Sequence, residues 1–185
     1  MTSRTTVSIV SHGQLSILKA LLDDFENLNI KLSKVIITLN LKNEPLISFE
    51  NYKFKIELIK NKYPKGFAEN HNFAFRKCES EFFCVLNPDI RIEDNLLFER
   101  LEKSFFDKNF GISAPLIVDS NNSIEDSARY FPSLKTLFVK FFFNDKGKVN
   151  IEDVESEIYP DWIAGMFLFF KSENFLKLNG FDENF

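Results

Sequence analysis

Hydrophobic runs and amphipathic segments alternate along the first two thirds of the chain. The predicted strands are Val7–Val10, Val35–Leu39, a segment in which Phe54, Ile56 and Leu58 alternate with charged residues, Phe82–Leu86 and Ile112–Val118. The predicted helices are a segment with Leu15, Leu18, Leu22 and Phe25 on one face, Ala68–Ser80 and Asn95–Phe106. This alternation predicts an α/β fold with a parallel sheet. The unbroken apolar run of Phe82–Leu86 is typical of a central strand covered on both faces.

The last third of the chain carries a weaker pattern. A helix is predicted over Ser133–Phe143, a polar connection over Asn144–Glu157, and a long apolar strand or buried segment over Trp162–Phe170. A final helix is predicted over Ser172–Leu178, with Ser172 as N-cap and Asn179-Gly180 as its stop.

Composition excludes several classes of protein. The 185 residues are 44% hydrophobic and 27% charged, an ordinary balance for a folded domain. A net charge of −4 argues against nucleic-acid binding, although a small anionic ligand needs only local positive potential. Two cysteines provide neither a disulfide framework nor a zinc site, which favours a reducing cytoplasm. The N-terminus lacks a signal-peptide pattern, and no apolar run approaches the roughly 20 residues that span a bilayer.

Polar residues follow the first and the central predicted strands. Ser11-His12-Gly13 comes after the first strand, and Asn87-Pro88-Asp89 comes after Phe82–Leu86. Open α/β sheets bind ligands at the carboxyl ends of their strands, so both segments are candidates for a binding site. Asn, Pro and Asp are also turn formers, and a simple turn is the alternative for the second segment.

Four segments in a fixed order resemble family 2 glycosyltransferases of the kind that build bacterial cell-surface polysaccharides. They are Val7–Gly13, Pro64–Asn72, Phe83–Asp89, and Asp161–Met166 continued by Gly180–Glu183. A subgroup of that family also carries a stretch like Glu125–Arg129 followed by Phe131-Pro132. The resemblance covers nearly the whole chain.

The resemblance implies a GT-A fold, a nucleotide-binding three-layer α/β/α sandwich with a mostly parallel central sheet. It implies an inverting, metal-assisted transfer of a sugar from a nucleotide-diphosphate donor to a glycan or lipid-linked acceptor. It also implies that Asp89 binds the divalent cation, Mg²⁺ or Mn²⁺. These hard cations accept one or two protein carboxylates and take their other ligands from phosphates and water.

The positions that match the family's donor-binding motifs are Ser11, His12, Asn40, Gly66, Asn72, Asn87 and Asp89. His12 is alternatively an exposed turn residue, Gly66 a turn former after Pro64, and Asn72 a helix cap. Many relatives carry an aspartate after the second strand that contacts the nucleobase, whereas this chain has Asn40. The identity of the base is therefore left open.

The positions that the resemblance places on the acceptor side are Arg129, Trp162, Gly165, Asp182 and Glu183. Arg129 suits an oxyanion, or alternatively pairs with Glu125 or Asp126. Trp162 is alternatively a core residue, and Gly165 is expected to leave room for a sugar. His71 and Cys84 are interpreted as structural.

The family's catalytic base is expected beyond Phe185, so no catalytic residue is assigned. We expect a single domain over 1–185 that lacks the family's C-terminal part, with a donor-nucleotide half at 1–118 and a partial acceptor half at 119–185. Such a chain by itself is expected to bind donor weakly or not at all and to transfer little sugar.

Two further alternatives stay open. The chain is either a glycosyltransferase or a non-catalytic remnant that keeps the fold as a binding module. The apolar stripe that includes Leu134, Leu137 and Phe141 is either packing, a lid over the donor, or a peripheral contact with the membrane. The expected location is the cytoplasm, with the inner face of the plasma membrane as the site of such a contact.

Overall fold

A six-stranded sheet forms the centre of the protein. The computed structural model describes residues 4–45, 49, 52–107, 110–131 and 157–184. Its strands are β1 Thr5–Ser11, β2 Lys34–Leu39, β3 Lys55–Lys60, β4 Phe82–Leu86, β5 Ile112–Ser113, β6 Ala128–Arg129, β7 Trp162–Ile163 and β8 Phe167–Lys171. Its helices are α1 Leu15–Asn27, α2 Phe67–Phe75, α3 Leu97–Asp107 and α4 Ser172–Lys177.

The sheet is mostly parallel, as predicted. The strand order is β3-β2-β1-β4-β8-β5, in which β1 to β4 run parallel and β8 runs antiparallel to both β4 and β5. Strands β1, β2 and β4 are buried along their whole length. Leu86 at the end of β4 pairs with Phe167 at the start of β8. The carboxyl ends of β1 to β4 and the amino end of β8 therefore share one edge, called the carboxyl edge below.

Helices cover both faces of the sheet. Because successive residues of β4 point to opposite sides, neighbouring β4 side chains contact different helices. The Phe82 ring lies 5.7 Å from Phe105 of α3, measured between ring centroids. The Phe83 ring lies 5.1 Å from Phe75 of α2 and 5.2 Å from Phe175 of α4. Phenylalanine, of which the chain has 23, thus packs the helices against both sides of β4 in a three-layer α/β/α arrangement.

Several predicted boundaries are wrong. The predicted strand Ile112–Val118 is a strand only at Ile112–Ser113, and Val118 instead bridges to Ile124. Trp162–Phe170 contains two strands in different sheets, because residues 164–166 leave the extended conformation. Helix α2 spans Phe67–Phe75 and so ends short of the predicted Ser80.

Helix α4 confirms its predicted stop but not its predicted cap. Asn179 and Gly180 adopt left-handed backbone angles, with φ of 59° and 77°, and the Gly180 N–H donates to the Phe175 carbonyl at 3.0 Å. Ser172 is the first helical residue, and its hydroxyl donates to the Ser80 carbonyl at 2.7 Å. The serine therefore ties the helix to the segment before β4.

The chain divides into two compact units, Met1–Pro115 with Gly165–Phe185, and Leu116–Ala164. The first contains the sheet and all four helices described above. The second contains the short antiparallel pair β6 and β7. The predicted helix Ser133–Phe143 and nearly all of the connection after it lie outside the described residues, and the predicted halves 1–118 and 119–185 stay a prediction. Within the described ranges, no helix has the length and apolar character needed to cross a membrane.

Candidate functional site at the carboxyl edge of the sheet

A buried serine, Ser11, ends β1, and the loop after β2 carries a carboxylate, Glu44, that the sequence analysis did not single out. Ser11 is fully buried, and its hydroxyl donates to Glu44 Oε2 at 2.5 Å. Glu44 Oε1 accepts the Leu41 N–H at 3.0 Å. Ser11 therefore joins β1 to the loop after β2, and its hydroxyl is already engaged where a donor contact was predicted.

Asn40 follows β2 and is also fully buried. Its Oδ1 accepts hydrogen bonds from Asn61 Nδ2 at 2.7 Å and from the Lys65 N–H at 2.9 Å. Its Nδ2 donates to the Lys65 carbonyl at 2.9 Å and lies 3.4 Å from the ring nitrogens of His12. The exposed His12 ring is thus beside the edge, while the amide of Asn40 is engaged by the loop after β3.

Gly66 and Gly165 have opposite surroundings. Gly66 has φ of −67° and ψ of 167°, which any residue adopts, and no described atom outside its chain neighbours lies within 4 Å of a Cβ built on it. Neither backbone conformation nor protein packing accounts for a glycine there. At Gly165 a Cβ would meet Phe67 Cζ at 2.9 Å. The space that was expected to admit a sugar is filled by the Phe67 ring.

Asp89 is exposed just past the end of the central strand β4. Within the described part of the chain, its carboxylate has no hydrogen-bond or ion-pair partner. The two residues before Asp89 are held by contacts with the rest of the protein. The Asn87 N–H donates to the Met166 carbonyl at 2.9 Å, and Pro88 is buried. Asn87-Pro88-Asp89 is therefore a turn that presents a carboxylate at the carboxyl edge.

A salt bridge anchors the segment that follows Asp89. Arg91 donates to both oxygens of Asp24 on α1, each at 2.6 Å, and the Ile92 N–H donates to Asp24 Oδ2 at 3.2 Å. The Asp24 side chain is only 10% exposed, whereas that of Arg91 is 61% exposed. The hydrogen bond from Arg91 holds the pKa of Asp24 below its usual value, against the opposing effect of burial.

Asn72 lies apart from these residues, within α2 and against the C-terminal segment. Its Oδ1 accepts the Phe181 N–H, and its Nδ2 donates to the Phe181 carbonyl and to Glu183 Oε1, all at 2.9 Å. The alternative that Asn72 caps a helix is wrong, because α2 begins at Phe67. Asn72, Asp182 and Glu183 line one cavity of about 660 Å³. The structure thus groups one predicted donor residue with two predicted acceptor-side residues.

Arg129 and Trp162 face each other on β6 and β7. Arg129 pairs with Asp126 through two hydrogen bonds, one of them from Nε at 3.0 Å. Its guanidinium lies 5.8 Å from the Trp162 ring centroid. The predicted alternative pairing of Arg129 with Asp126 is present. The alternative that Trp162 is a core residue is wrong, because Trp162 is 44% exposed.

His71 and Cys84 are buried, as expected of structural residues. The His71 Nδ1 lies 2.9 Å from the Ser8 hydroxyl, and burial lowers the pKa of His71 to about 3. The ring is therefore neutral at physiological pH. Burial also raises the pKa of the Cys84 thiol, which makes it a poor nucleophile.

Sequence reasoning missed four residues at this edge: Glu44, Asn61, Phe67 and Asn70. Asn61 directly follows β3, so the rule that polar groups at strand ends mark ligand sites points to it. Asn70 and Phe67 become relevant only through the approach of α2 to the loops, which no local pattern encodes. Glu44 gives no local signal, since it lies in a polar loop.

Known proteins resemble the chain in sequence and in fold. No protein-family model matches it. It is 29% identical over 191 residues to the rhamnosyltransferase WbbL of Escherichia coli (strain K12), an alignment that covers 97% of this chain and 70% of the relative.

Two solved structures share the fold. One is the mannosyltransferase PcManGT from Pyrobaculum calidifontis in complex with GDP-Man and Mn²⁺, with a TM-score of 0.66 and 15% identity over 100% of this chain and 49% of that one. The other is S. aureus TarS in complex with UDP, with a TM-score of 0.64 and 10% identity over 98% of this chain and 51% of that one. The chain spans about half the length of these two structures.

These comparisons confirm the predicted resemblance to glycosyltransferases and the predicted GT-A fold. The protein is a homologue of a rhamnosyltransferase, and it has the α/β architecture of enzymes solved with nucleotides and nucleotide sugars.

Proposed function

We propose that the chain is a family 2 glycosyltransferase that binds a nucleoside-diphosphate sugar at the carboxyl edge and transfers the sugar to a cell-surface glycan or lipid-linked acceptor with inversion. The observation that carries this proposal is Asp89, an exposed carboxylate without a described partner at the end of the central strand of a GT-A fold. The proposed location is the cytoplasm, with a peripheral contact at the inner face of the plasma membrane.

The residues at this edge suit a divalent cation shared with a diphosphate. Among the described residues, no group of three or more His, Cys, Asp and Glu side chains is arranged to hold a metal. The carboxylate at this edge that has no partner among the described residues is Asp89, whereas that of Glu44 is bound by Ser11. A single carboxylate matches Mg²⁺ or Mn²⁺, which bind through one or two carboxylates and complete their coordination with phosphate oxygens and water. When bound, such an ion stabilises the charge that develops on the leaving diphosphate.

The chain's own residues have distinct proposed tasks. Asp89 holds the cation and Asn87 lies next to it, while His12 and Gly66 border the path of the nucleotide. Gly66 supports this proposal because the space beside it is open and its conformation does not require glycine. Residues 1–118 form the proposed donor half and 119–185 the acceptor half, with Arg129, Trp162, Asp182 and Glu183 on the acceptor side.

The proposal is tested by calorimetric titration with UDP, GDP and dTDP, each with and without Mn²⁺. We expect weak, metal-dependent binding of at least one nucleotide, since the described residues include the proposed donor half. We expect Asp89→Ala to weaken it by roughly tenfold or more, because the lost contact involves charged groups. Glu93→Ala, at an exposed carboxylate four residues further on, is the matched control and should bind like the wild type.

Metal-dependent affinity that is unchanged in Asp89→Ala contradicts the proposal. Nucleotide binding without turnover of any nucleotide sugar favours the alternative, a binding module that has kept the GT-A fold.

A further inference from the structure

Three asparagines form a closed hydrogen-bond network behind the proposed nucleotide path. Asn40 follows β2, Asn61 follows β3, and Asn70 lies on α2. Asn61 Nδ2 donates to Asn40 Oδ1 and to Asn70 Oδ1, each at 2.7 Å. Asn40 and Asn70 are almost completely buried, with 0% and 1% of their surface exposed.

The network holds the backbone of a single residue, Lys65. Its N–H donates to Asn40 Oδ1 at 2.9 Å. Its carbonyl accepts hydrogen bonds from Asn40 Nδ2 at 2.9 Å and Asn70 Nδ2 at 3.1 Å. The amide of Asn40 thus pairs with the N–H and C=O of Lys65 as a neighbouring strand would, and the peptide groups on both sides of Lys65 are fixed.

These interactions engage the amides of Asn40 and Asn70, and the Nδ2 of Asn61, with the protein. In the described part of the chain, the only buried side-chain nitrogen or oxygen without a partner is Thr38 Oγ1. Amides suit this task because they donate and accept at once, whereas a carboxylate only accepts. Asn40 and Asn70 are therefore not available as direct ligand contacts in this arrangement.

We propose that Asn40, Asn61 and Asn70 are positioning residues for the donor, a set called the asparagine clamp below. The clamp fixes Lys65 and so sets the position of the next residue, Gly66, whose open side faces the proposed path of the nucleotide. This inference rests on the proposed function. It replaces the predicted direct contact of Asn40 with the nucleotide by an indirect one through Lys65 and Gly66.

The sharpest variant is Asn40→Asp, which keeps the shape of the side chain but replaces the donor by an oxygen that faces the Lys65 carbonyl. At neutral pH we expect roughly a tenfold loss of nucleotide affinity, because a buried acceptor is left opposed to another acceptor. Burial beside a carbonyl raises the pKa of the introduced carboxyl group, and its protonated form donates again. The affinity relative to the wild type should therefore recover as the pH is lowered from about 8 to about 5.

The titration needs two further measurements because other ionisable groups lie near the site. His12 is within 3.4 Å of Asn40, Glu44 binds Ser11, and the Lys65 ammonium pairs with Glu69. The wild type is titrated over the same pH range, and only the ratio of affinities is interpreted. Thr6→Val is the matched structural control. This variant removes the partly buried 2.5 Å hydrogen bond between Thr6 on β1 and Ser80, and it leaves the clamp unchanged.

Amide hydrogen exchange at Lys65, whose N–H donates to Asn40, provides a readout that does not depend on a nucleotide. We expect faster exchange in Asn40→Asp and Asn61→Ala than in Thr6→Val. Wild-type exchange in the clamp variants, or wild-type affinity in Asn40→Asp at neutral pH while the wild type binds nucleotide, overturns the inference and leaves the proposed function standing. A wild type that binds none of the three nucleotides overturns the proposed function and the clamp's role in it, whatever the exchange shows.

Discussion

The polar side chains that follow β2 and β4 differ in burial and in hydrogen bonding. After β2, Asn40 is buried and its amide is engaged by Asn61 and Lys65. After β4, the Asp89 carboxylate is exposed and lacks a described partner, while the backbone beside it is fixed by Met166. Asn40 therefore holds the neighbouring loop in place, whereas Asp89 presents a negative charge to solvent. A buried polar group must find a partner in the protein, whereas an exposed carboxylate on a rigid turn keeps its full capacity for a ligand.

This contrast explains why the two kinds of position require different tests. A residue that positions should affect exchange, stability and affinity together. A residue that binds should affect affinity alone. The predictions below apply this criterion to positions on both sides of the contrast.

The largest effect on stability is expected at Asp24, which anchors the segment after Asp89. Asp24→Ala removes the acceptor of the buried Ile92 N–H and should lower the free energy of unfolding by about 2 kcal/mol. Asp24→Asn keeps one acceptor and should cost less. Urea denaturation measures both, and Asp23→Asn, at the adjacent and more exposed carboxylate, is the control.

The same anchor gives a pH dependence with a definite sign. The hydrogen bond from Arg91 lowers the pKa of Asp24 in the folded state. The ionised Asp24 therefore contributes its full stabilisation above the pKa of the unfolded state, near 3.8. That stabilisation is lost as the pH falls through the lower pKa of Asp24 in the folded state. The wild type should lose stability in this acid range more steeply than Asp24→Asn. Parallel acid titrations of the two would show it, and identical slopes contradict it.

The next prediction concerns Gly165 and Gly66, which should respond differently to substitution by alanine. Gly165→Ala places a Cβ 2.9 Å from Phe67 Cζ and should lower stability by about 1 kcal/mol, because the ring has to move. Gly66→Ala meets no described atom and should leave stability near that of the wild type. Only Gly66→Ala should weaken nucleotide binding at unchanged stability. Calorimetry on both variants tests this, and equal affinity in Gly66→Ala and the wild type would remove Gly66 from the proposed path.

Much of the fold followed from local pattern. The central strand Phe82–Leu86 was predicted with its observed bounds, because five consecutive apolar residues suit a strand covered on both faces. The first two strands and α1 were found for similar reasons. The apolar stretch 162–170 was misread as one strand or segment, because hydrophobicity does not reveal that the backbone turns at residues 164–166.

The exposure of a candidate residue was predictable where it follows from chain position, as for Asp89 at the tip of a buried strand. It was not predictable where the partner comes from a distant segment. Asn40 and Lys65 are 25 residues apart, and Asn72 meets Phe181 across 109 residues. Nothing near Gly165 in the sequence indicates that Phe67 fills the space beside it. The sequence analysis thus identified the carboxyl edge as the candidate region. It did not show which polar side chains at that edge are hydrogen-bonded to distant segments of the protein.

The smallest effect is expected at Arg129, which combines features of both strand ends. Like Asn40 it is paired within the protein, here with Asp126, and like Asp89 it is exposed. The exposed guanidinium gains little from the pair, because water and salt screen it, so Arg129→Ala should leave the melting temperature nearly unchanged. If Arg129 binds an acceptor oxyanion, Arg129→Ala should slow transfer, whereas Asp126→Ala should leave it unchanged or faster, because the guanidinium loses a competing anion. Equal losses of transfer in the two variants would instead show that the pair acts as a unit that orients Trp162, as the asparagine clamp is proposed to orient Gly66.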